Sequence, residues 1–182
     1  GNFTTIRALL DSGITPMTLR LFTLQAHYRK PLDFTAEALE AAAAGWKGLN
    51  AALGLGTALS PVSITPDSIT AVPPASDPQG LEPGLASLRE RFVAAMDDDL
   101  NTAAALAVLF ELARPLRSLA HRLERGDGAA AAEARAPELV DQGQLLMELA
   151  GVLGLQSETE AKTSTTSSGP SDAEIQAQIE QR

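Results

Sequence analysis

Leu109, Leu112, Leu116, Leu119 and Leu123 recur at intervals of 3, 4, 3 and 4 residues. At about 100° per residue, that spacing puts all five on one face of an α-helix. An apolar stripe of this kind has to be covered by another element. The same rhythm returns in Leu39, Ala42, Trp46, Leu49 and Leu53. Two such faces in one chain predict helix packed on helix. Alanine runs (EAAAAGW, GAAAAEARA) and an aromatic content of only 4% point the same way. They favour close packing through Ala and Leu over a sheet of β-branched and aromatic residues. With 45% hydrophobic residues in a chain of 182, a core can form. The expected fold class is all-α.

Local signals divide the chain. Thr4 or Thr5 caps a first helix to Asp11, and Gly13 suits the left-handed residue that ends it. Thr15-Pro16 opens a second helix over residues 16–29. Thr35 caps a connecting helix over 35–53. Six of the eleven prolines fall between Gly54 and Pro83, so 54–83 reads as a flexible linker. A helix from about Gly84, with Leu85, Leu88, Phe92 and Ala95 inward, stops at the MDDDLNT corner. Asn101 or Thr102 caps the leucine-striped helix, in which Pro115 removes one ladder bond and predicts a kink. RGDG closes it. A further helix covers Pro137 to about Leu153, with an alanine-rich lead-in. Residues 156–170 read as a second low-complexity linker. Ser171 and Glu174 have capping-box spacing and start a helix over 171–182.

Charge narrows the function classes. The formal net charge is -9, which opposes general binding of polyanions. Any nucleic-acid contact must be local, through a basic patch on an acidic body. Arg114, Arg117, His121 and Arg125 form such a patch, at intervals of 3, 4 and 4 and opposite the leucines. Arginine forks match phosphate oxygens, although a solvated face paired with glutamates is the commoner use of such a run. His27, Tyr28, Arg29 and Lys30 close the second helix, where cations favour the helix dipole. There is no cysteine, and the two histidines are far apart, so no metal site is expected. Asp97, Asp98 and Asp99 read as a helix-helix corner whose carboxylates cap the next helix. No apolar run is long enough for a membrane span. Phosphate loops, nucleophile elbows and paired catalytic carboxylates are missing from the pattern, so no catalytic residue is assigned.

Together, GNFTTIRALLDSGITPMTLRLFTLQAHYRKPLDF, RFVAAMDDDLNTAAALAVLFELA, LMELAGVLGL and SDAEIQAQIEQR resemble the C-terminal half of bacterial-type cysteinyl-tRNA synthetases. The resemblance spans nearly the whole chain outside the two linkers. It implies a class I Rossmann catalytic domain before this region, carrying the His-Ile-Gly-His element, a zinc site and the Lys-Met-Ser-Lys-Ser loop. Gly1, Asn2 and Phe3 would then adjoin that signature loop. Residues 1–34 would form a stem-contact element, and residues 84–155 an antiparallel bundle of the DALR anticodon-binding type. The literal Asp-Ala-Leu-Arg motif is absent, and Ala103 stands where the family usually has proline. The implied tRNA(Cys) contacts are Arg29, Lys30, Arg114, Arg117, His121 and Arg125. ATP with Mg and zinc are implied for the full-length protein and none for this part, which is expected to be inactive alone. The resemblance further implies a cytoplasmic monomer. A related cysteine ligase of mycothiol synthesis and a free-standing helical interaction module are the alternatives.

Overall fold

A computed structural model describes residues 5–60 and 81–158. The expectations for Gly1, Asn2 and Phe3, for positions 61–80 of the first linker, and for everything from 159 onward lie outside these residues. That includes the helix expected over 171–182.

The described residues form seven α-helices: α1 (Ile6–Asp11), α2 (Pro16–Leu24), α3 (Ala36–Leu59), α4 (Pro83–Asp97), α5 (Thr102–Glu124), α6 (Gly128–Glu133) and α7 (Pro137–Val152). They contain no strand. The caps follow from short-range chemistry. Thr5, Thr15 and Thr35 each accept a hydrogen bond from the backbone N–H three residues on, and Asn101 does the same for Ala104. Gly13 has φ 93°, and behind it the Ile14 N–H reaches Leu9 O at 3.2 Å. This is the wrapped end that a left-handed glycine permits.

Three boundaries differ from expectation. α2 ends at Leu24, not at residue 29, and its last residues become a turn closed by Lys30 N–H on His27 O. α3 continues to Leu59, so residues 54–59 are helix and not linker. The alanine-rich lead-in is a separate helix, α6. α5 continues through Pro115 as one helix, with the proline on its exposed side.

α3 is a full member of the bundle. Trp46, Leu49 and Leu53 of α3 share one core with Leu85 and Phe92 of α4, Leu106, Leu109, Leu112 and Leu116 of α5, and Leu145, Leu146 and Leu149 of α7. Burying each such leucine stabilises the fold by about 1.5–3 kcal/mol. Gly45 lies by Phe110, Gly48 by Arg117, and Leu59 in one cluster with Leu123, so α3 and α5 run parallel. α7 runs antiparallel to α3. Gly56 meets Gly143, and the Glu158 N–H donates to Asn50 Oδ1 at 2.9 Å. A methyl group on Gly143 would stand 3.1 Å from Gly56 Cα, so two helix backbones touch there.

Two smaller clusters finish the ends. Phe22, Leu39 and Ala42, with Leu9, Ile14 and Leu19, seat α1 and α2 on the first turns of α3. Leu119, Ala130 and Ala134 seat α6 at the other end, beside Leu55, Leu59 and Leu123. α5 therefore spans the bundle, with α2 near its start and α6 near its close.

Candidate nucleic-acid interface

The leucine stripe and the arginines of α5 divide as their spacing requires. Leu109, Leu112, Leu116 and Leu119 are buried, whereas Arg114, Arg117, His121 and Arg125 are exposed. Arg114, Arg117 and Arg125 make no ion pair among the described residues. Arg117 lies over α3 at Gly48, where an added methyl would come within 3.1 Å of its Cδ and Nη1. The missing side chain lets the guanidinium extend across the neighbouring helix. His121 differs, since its Nδ1 is 3.5 Å from Glu124 Oε2. Arg122, between them in sequence, is fully engaged: it pairs with Asp127 at 2.8 Å and with Glu133 at 2.5 Å. Those bonds raise the Arg122 pKa, and the same bond from Arg122 is the main cause holding Asp127 below the usual carboxylate value. Arg122 thus ties α5 to α6, and three arginines remain available on the ridge.

Arg29 stands in a different environment. Its Nη2 donates to Asp99 Oδ1 at 3.0 Å, and its Nε lies 2.9 Å from Asp99 Oδ2 as an ion-pair contact. Tyr28 donates its hydroxyl hydrogen to the same Oδ1 at 2.7 Å, while Arg29 Nε also reaches the Tyr28 oxygen at 2.7 Å. His27 Nε2 is 3.8 Å from Asp99 Oδ2, and its ring stacks on Tyr28 at 5.0 Å. The hydrogen bond from Tyr28, then that from Arg29, lowers the Asp99 pKa; the bond to Asp99 raises that of Tyr28. Lys30 is exposed and contributes its backbone to the turn.

Backbone geometry prepares this cluster. Asp99 and Leu100 have φ of 50° and 54°, the left-handed region, at roughly 1–2 kcal/mol per non-glycine residue. The Asn101 N–H nevertheless reaches back to Ala95 O at 3.0 Å, and Thr102 Oγ1 donates to Leu24 O at 2.7 Å. The latter bond fastens the start of α5 to the end of α2. The carboxylates of the triple-aspartate corner do not cap α5, contrary to one expectation, while the expected cap by Asn101 is present. Asp99 turns to the His27–Arg29 stretch. Sequence reasoning does not find this cluster. Its one visible signal is the opposite charge of the AHYRK and MDDDL stretches, about 70 residues apart.

Among the described residues, no three His, Asp or Glu side chains converge to hold a metal ion. No helix there is long and apolar enough to cross a membrane.

Residues 91–157, covering α5 to α7 and the last seven residues of α4, match the family model described as the DALR domain. The class is therefore a helical bundle of DALR type. The chain is also 56% identical to a cysteine--tRNA ligase of Synechococcus sp. (strain CC9902), over its whole length and 37% of that protein. It is 61% identical to a protein of the same name from Synechococcus sp. (strain CC9605), over 90% of this chain and 34% of the relative. A third, from Rippkaea orientalis, is 43% identical over all of this chain and 35% of its own length. The chain belongs to the cysteine--tRNA ligase family, and it spans about a third of the length of these relatives.

Proposed function

We propose that this chain is the tRNA-docking helical part of a cysteine--tRNA ligase, following the catalytic domain of the full-length protein. That protein would join cysteine to tRNA(Cys) with ATP through a cysteinyl-adenylate. ATP with Mg and zinc would bind in its catalytic part, and this region alone would be inactive. The observation that carries the reading is the α5 ridge: Arg114, Arg117 and Arg125 are exposed and without an ion pair among the described residues, inside the DALR match and on a chain of net charge -9. A local cationic row on an acidic body attracts phosphates along one line and repels them elsewhere. Ile6, Leu10, Leu32 and Phe34 are exposed on α1 and the turn after α2, which supports an apolar interface with the catalytic part. The relatives carry the tRNA-ligase name, which favours this reading over the mycothiol-type ligase and the free-standing module. A cytoplasmic monomer belongs to the same reading.

The test is tRNA(Cys) binding by the full-length ligase against salt, with Arg114, Arg117 and Arg125 replaced together by alanine. Weaker binding is expected, with a log K against log salt slope shallower by up to about 0.9 for each phosphate that is no longer neutralised. Unchanged affinity and slope would overturn the assignment.

A further inference from the structure

Both oxygens of the Asp99 carboxylate are used on residues about 70 positions earlier in the chain. Oδ1 accepts from the Tyr28 hydroxyl and from Arg29 Nη2, and Oδ2 faces Arg29 Nε at ion-pair distance, 2.9 Å. The guanidinium of Arg29 also lies 5.2 Å from the Tyr28 ring centroid. Arg29 is therefore committed on two nitrogens. Asp97 and Asp98 stand exposed beside it on the same corner, where they would repel a phosphate. These facts argue against a direct phosphate contact for Arg29. They leave the question of what so many bonds to one exposed carboxylate achieve.

The answer lies in what the cluster joins. On one side is the turn after α2, and behind it α1 and α2, seated on α3 by a small apolar cluster. On the other is the α4–α5 corner, held in left-handed backbone at Asp99 and Leu100. A corner in that conformation aims the Asp99 side chain in one direction. The Thr102 to Leu24 hydrogen bond adds a second fixed point close by. From Thr102, α5 rises about 1.5 Å per residue, so the ridge begins about 18 Å away at Arg114 and ends about 35 Å away at Arg125.

We infer that Asp99 is a positioning residue: by holding Tyr28 and Arg29 it fixes the α1–α2 segment at a set distance and angle from the arginine ridge of α5. The inference rests on the tRNA-docking reading, because an RNA held at the ridge is what makes that distance matter. Asp99 touches neither RNA nor the reacting atoms. It determines whether an RNA seated on the ridge also meets the rest of the ligase in register. An error of about 1 Å in such register can cost up to about a hundredfold in rate.

The experiment uses the full-length ligase carrying Asp99→Asn, Tyr28→Phe, or both. Three quantities are read: tRNA-independent cysteine activation by ATP–pyrophosphate exchange, the kcat and KM of tRNA(Cys) charging, and the melting temperature. For Asp99→Asn, the expected result is exchange and melting close to wild type and charging kcat down about tenfold, with KM for tRNA changed less than about threefold. The double variant should be no worse than Asp99→Asn alone, since both remove the same interaction. Charging at the wild-type rate, or exchange, charging and melting all falling together, would overturn the inference. The two readings fail separately. A wild-type ligase that neither binds nor charges tRNA(Cys) ends the docking reading. A wild type that charges, with weak binding by the ridge variant but normal kcat in Asp99→Asn, ends the positioning role alone.

Discussion

Arginines of the same chemistry stand near the two ends of α5 in opposite states. At the start, Arg29 is spent on Asp99, which also takes the Tyr28 hydroxyl. Along the second half, Arg114, Arg117 and Arg125 are exposed and make no ion pair among the described residues. By residue type, all four are equal candidates for phosphate. Pairing separates them: a guanidinium already facing a carboxylate has to give up one charge-assisted partner for another, and the net gain is small. Free arginines gain the whole interaction and release counterions. A cationic residue near an interface is to be judged by what already neutralises it.

The most damaging way to test the comparison is to remove what both ends share. Leu116 of α5 has no exposed surface. Leu116→Ala should cost about 2–5 kcal/mol of unfolding free energy, read by denaturant titration. The loss should reach both the Asp99 cluster and the ridge; retention of wild-type stability would mean that α5 is not the common support. Next in size is single-arginine replacement in the full-length ligase. Arg114→Ala should reduce the salt slope of tRNA binding by about one, whereas Arg29→Ala should leave the slope unchanged. Equal slopes for the two variants would erase the distinction between spent and free.

The smallest effect is spectroscopic. Tyr28 is the sole tyrosine of the chain, so the tyrosinate absorbance reports it alone. Its bond to Asp99 holds its pKa above 10.0, and Asp99→Asn should move the midpoint back toward that value. The sign for stability follows: a raised folded pKa contributes stability below the unfolded value, and that stability is lost as pH rises through the folded one. The Asp99 pKa is held below 3.8, so its share is present above 3.8 and is lost as pH falls through the lowered value. A carboxyl NMR titration of Asp99 with an ordinary midpoint would contradict the cluster.

Legibility in the sequence follows the range of the forces. The threonine caps, the glycine at 13 and the RGDG close depend on neighbours within a few residues, and each is readable. The leucine stripe of α5 is readable for the same reason. The run of residues 54–59 is not. Two glycines suggest a linker, but Gly56 is where the α3 backbone meets Gly143, so packing with a distant helix overrides local propensity. The early end of α2 has a similar cause. Nothing in Gln25 to Arg29 forbids helix, yet Tyr28 and Arg29 are drawn to a carboxylate beyond the reach of any local rule. Both halves of the candidate site are visible as separate motifs. Their joining is not, because it depends on two successive left-handed residues, Asp99 and Leu100, and leucine does not announce that conformation.

The meeting of α3 with α7 has a consequence for how the chain is made. Gly56 touches Gly143 and Asn50 holds the Glu158 backbone, so an early helix finds its partner about a hundred residues later. A ribosome adds roughly 5–20 residues each second. On that scale, α3 waits for several seconds with one apolar face uncovered. Trp46, the sole tryptophan, lies in the core that α3 shares with α4, α5 and α7 and is 3% exposed in the finished fold. Its fluorescence in nascent chains of increasing length should shift in part once α5 has left the exit tunnel and reach its final value only after α7 has followed.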